Sequence, residues 1–86
     1  MPKMRAKFRV SSVTEHGDGQ GNVTQETIRF DAVGKSGAYP EDGSDEDNTF
    51  AKFTPSAHCE ISVLNPALLG QFKSGQAYYV DFTPAE

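Results

Sequence analysis

Apolar and polar residues alternate at the start of the chain. Met4, Ala6, Phe8 and Val10 fall on one side, and Lys3, Arg5, Lys7 and Arg9 on the other. A period of two is that of a half-buried β-strand, because successive side chains leave a pleated backbone on opposite faces. Val13 is out of phase with this series, which places a bulge or twist near Ser11-Ser12. Residues 15–22, "EHGDGQGN", put three glycines among polar side chains and read as a hairpin turn. Residues 23–33, "VTQETIRFDAV", read as the returning strand. Ile28, Phe30 and Ala32 share a face with Thr24 and Glu26, and Arg29 and Asp31 point the other way.

Residues 34–48 break the pattern. They form a polar loop with five acids between Glu41 and Asp47, and loops of this length are usually functional or disordered. "TFAKFTP" at 49–55 alternates again and predicts a short strand ended by Pro55. In 57–64 the spacing directs Ala57, Cys59, Ile61 and Val63 inward and His58, Glu60 and Ser62 outward. Asn65 and Pro66 suit the N-cap and first position of a helical turn, Leu68, Leu69 and Phe72 give it an apolar side, and Gly75 suits its end. A last strand covers 76–83, with Tyr78, Val80 and Phe82 inward and Tyr79 outward. The order β-β-β-β-α-β predicts an all-β fold with one short helix, a small antiparallel sheet curled into an open barrel or sandwich.

At 86 residues the chain fits one domain, 1–86, with the acidic loop inside it. Its formal charge of −4 argues against a protein that coats duplex DNA through overall charge. Cys59 is the single cysteine, so no intrachain disulfide is expected, and a metal site would have to draw on His16, His58 or carboxylates. The order of acids in "EDGSDEDN" lacks the spacing of a calcium loop. No phosphate loop or nucleophile elbow is present, and Cys59 and His58, adjacent on a strand, point to opposite faces. The expectation is a protein without enzymatic activity, cofactor or metal. No run approaches the roughly 18 apolar residues of a membrane span, so no membrane partner is expected.

Three blocks, "MRAKFRVSSVT", "EDNTFAKFTPSA" and "NPALLGQFKSGQAYYVDFTPAE", cover over half of the chain. In them the chain resembles a group of small, mostly uncharacterised bacteriophage and prophage proteins. The last block carries the resemblance furthest, with its Pro-started turn, Phe72, Gly75, the strand through Tyr78, Tyr79 and Phe82, and the Thr-Pro end. The resemblance implies a phage origin, and hence the host cytoplasm with incorporation into the particle as a further stage. It implies no activity and carries over no functional residues.

Two charged segments offer binding functions. Asp42, Asp45, Glu46 and Asp47 present a short acidic surface suited to a protein partner, a host factor or a virion component, by mimicking nucleic-acid phosphates or by meeting the basic stripe of a second copy. This protein-binding reading is the preferred one. The alternative is single-stranded nucleic acid, with Lys3, Arg5, Lys7, Arg9 and Arg29 tracking phosphates and Tyr79 as a stacking platform. Against the alternative stands a simpler arrangement: the stripe covers an exposed strand face and pairs with Asp31, Glu60 or Asp81 across the sheet.

Overall fold

The computed structural model describes residues 4–85, which form four antiparallel strands in one open sheet. The strands are β1 (Met4–Gly17), β2 (Val23–Ala32), β3 (His58–Val63) and β4 (Ala77–Phe82), in the spatial order β3-β2-β1-β4. The all-β class follows from the period-two patterning. The register of β1 on β2 pairs Val10 with Phe30 and then Ser12 with Arg29. Ser11 is thus the extra residue of a bulge, and the bulge brings Val13 opposite Ile28 on the same face as Val10.

Turn chemistry fixes the hairpin. Asp18 Oδ1 accepts the backbone N–H groups of Gln20 and Asn22 at 2.7 and 3.4 Å, and its Oδ2 accepts the Asn22 side chain at 3.0 Å. Gly19 and Gly21 take the positive φ values of 83° and 90° that the tight reversal requires. The outer strands flank only the base of the hairpin: β4 pairs with Met4–Arg9 and β3 with Glu26–Asp31. The tip of β1 and β2 therefore projects as a two-stranded ribbon, and the molecule measures 55 × 33 × 16 Å.

Two elements differ from the pattern-based expectation. Residues 49–55 are not a strand of the sheet. They run through turns with one isolated bridge, Ser44 to Lys52, because the polar residues just before them anchor the segment elsewhere, as described below. The helix expected after Asn65 is a single 3-10 turn, Pro66–Leu68. Asn65 does cap it, accepting the Ala67 N–H at 3.0 Å, but Leu69 is already extended and Gly70 has φ 82°. The segment between β3 and β4 must cross from one sheet edge to the other, about 14 Å at ordinary strand spacing, and extended backbone spans that distance in fewer residues than a helix.

The core lies on one face. Ala6, Phe8, Val10, Ile28, Phe30 and Val63 are buried there. Phe30 is its centre, with ring centroids 6.3 Å from Phe8, 5.7 Å from Phe72 and 6.3 Å from Tyr78, all near edge-on. Leu69 and Phe72 of the crossing segment pack on this face, and Gly70 N–H donates to the buried Glu26 carboxylate at 3.0 Å. Neither a second sheet nor a closed barrel is found among the described residues.

Candidate interaction surface

On the polar face the register sets Arg5 opposite Asp81 and Lys7 opposite Tyr79. Arg5 makes a forked pair with Asp81, Nε to Oδ1 at 2.7 Å and Nη2 to Oδ2 at 3.1 Å, and its guanidinium lies 4.7 Å from the Tyr79 ring centroid. The hydrogen bond to Asp81, with its charge, raises the Arg5 pKa further. Lys7 Nζ lies 3.6 Å from Asp47 Oδ2, and Tyr79 donates its hydroxyl to Asp47 Oδ1 at 3.2 Å. Arg29 pairs at 3.5 Å with Asp31, two residues along the same face of β2, both half exposed. Arg9 is exposed and forms no ion pair among the described residues. Lys3 lies outside the described residues. The stripe therefore faces largely the chain's own acids and one of its aromatic rings.

The acidic loop is the reason. β1 reaches beyond the end of β2, which leaves the backbone of Arg5 and Lys7 without a strand on that side. Residues 48 and 49 fill the place. Thr49 N–H donates to Arg5 O at 2.9 Å, Arg5 N–H donates to Thr49 Oγ1 at 2.9 Å, and Lys7 N–H donates to Asn48 Oδ1 at 2.8 Å. Asn48 is fully buried, and its Nδ2 also donates to Val33 O at 2.7 Å and to Asp45 Oδ2 at 3.2 Å. Buried Asp45 accepts the N–H groups of Asp47, Asn48 and Lys35 at 2.9, 3.1 and 3.2 Å. Burial pushes its pKa up, but the Asn48 amide and these N–H donors outweigh that and hold it below the usual carboxylate value.

Of the four acids proposed for a protein partner, Asp45 and Asp47 thus turn toward the chain's own donors. Asp42 is exposed and caps Ser44 N–H at 3.0 Å; that backbone donor, then the Ser44 hydroxyl, lowers its pKa. Glu46 points outward with a 3.0 Å contact to Lys35 Nζ; its own backbone N–H and then Lys35 lower its pKa. Asn48 was not singled out by the charge pattern. Its signal is local: an acid followed three residues later by Asn, the arrangement in which the first side chain caps the turn that buries the second.

The apolar face is less complete. The crossing segment covers one end of it with Leu69 and Phe72. At the other end a trough of about 400 Å³ runs between the edge strands, with Phe8 and Phe30 on its floor and Ile61, Val80 and Phe82 along its sides. A second hollow of about 200 Å³, which includes Met4 and Phe50, continues it past Phe8, Ala57 and Phe82. Ile61, Phe82, Met4 and Phe50 are 46%, 47%, 43% and 38% exposed. Cys59 lines the same trough as a free thiol. No group of three or more His, Cys, Asp or Glu side chains able to hold a metal occurs among the described residues.

Comparison of the chain with family models, with curated proteins and with solved structures returns no match. No helix among the described residues is long and apolar enough to cross a membrane.

Proposed function

We propose that the chain is a non-enzymatic phage protein that acts by binding another protein, as an assembly or virion accessory, through the apolar trough between β3 and β4. The observation that carries the reading is the exposure of Ile61, Phe82, Met4 and Phe50 around one continuous hollow. Single exposed apolar residues are ordinary on a protein surface; a contiguous set around a concavity marks a binding surface. The site of protein recognition thereby moves from the acidic loop, whose Asp45 and Asp47 hold β1, to the opposite face of the sheet. The nucleic-acid alternative would require Arg5 and Lys7 to exchange Asp81 and Asp47 for phosphates, and it has Arg9 and Arg29 as its exposed cations.

The test has two arms. Cross-linking in cells that produce the tagged chain is expected to give a discrete protein adduct that the Phe82→Asp variant loses. Fluorescence anisotropy with labelled single-stranded DNA and RNA at low salt is expected to show no tight binding. Tight binding that weakens steeply with salt and disappears in an Arg5→Glu, Arg9→Glu variant would move the function to the polar face.

A further inference from the structure

We draw no further inference here: the strongest candidate, the apolar trough between β3 and β4, belongs to the site already described, and nothing in the structure shows whether a second copy, a segment of another protein or a small apolar molecule covers it.

Discussion

On the polar face of the sheet, Arg5 and Lys7 meet Asp81 and Asp47; on the apolar face, Ile61 and Phe82 stand half exposed beside a trough. Both faces arise from the same alternating strands, and charge makes the polar one the more conspicuous in sequence. Yet it is the face on which Arg5, Lys7 and Arg29 already have partners within the chain. A basic stripe beside a buried Asp–Asn network is a finished surface. An apolar groove with half-exposed side chains on both flanks is an unfinished one, and unfinished surface is what association completes.

Several substitutions would break or sharpen this contrast. The largest effect is expected from Phe30→Ala, which removes the ring that joins Phe8, Phe72 and Tyr78. Urea unfolding should show a loss of about 3–5 kcal/mol, enough to unfold a marginal domain. Asn48→Ala should come next, because it takes the Asn48 partner from the part-buried Lys7 N–H and Val33 C=O. A loss of about 2–4 kcal/mol is expected on the same assay, with faster amide exchange at Lys7. A loss near zero would mean that the loop does not hold β1.

Acid should act through the same loop. The Asp45 pKa is lower in the folded chain than the ordinary value, so its contribution to stability is whole above the unfolded-state carboxylate value, about 3.9. It should be lost as the pH falls below that, through the lower folded value. An Asp45→Asn variant should be less stable at neutral pH and flatter with pH over that interval, as followed by thermal melts at graded pH. Lys7→Ala removes a partly exposed ion pair at 3.6 Å, for which about 1 kcal/mol or less is expected, and less still at high salt. Phe82→Ser should be the mildest, within about 1 kcal/mol of wild type where the chain is monomeric. A large loss there would show that the trough is core rather than contact surface.

Much of this fold was legible in the alternation. The hairpin, the bulge at Ser11, the inward Tyr78 and outward Tyr79, and the fourth strand all follow from period two and turn chemistry. Pairing of Arg5 with Asp81 was available as a cross-strand option and is found. The 49–55 segment departs from the strand that Phe50 and Lys52, alternating with Ala51 and Phe53, predict, because that pattern takes no account of Asp45 and Asn48. Their buried hydrogen bonds hold the adjoining backbone along β1 instead. The trough was not legible at all. Periodicity assigns Ile61 and Phe82 to the inner face, but only the third dimension tells that the crossing segment stops short of them.

The sheet order carries a consequence for how the chain is made. β1 is a central strand, and its partner on one side is the last strand in sequence: Arg5 and Asp81 bond across a sequence separation of 76 residues. The β1–β2 hairpin closes through a short turn and needs no distant residue, so it forms early. The β1 edge that will receive β4 then stays unpaired until synthesis has passed residue 82, while the earlier apolar strand faces are exposed. Such an edge is where a nascent chain is most open to wrong pairing and to chaperone capture. Its ordering needs the longest-range pairing in the sheet, the kind of contact that slows folding in proteins generally.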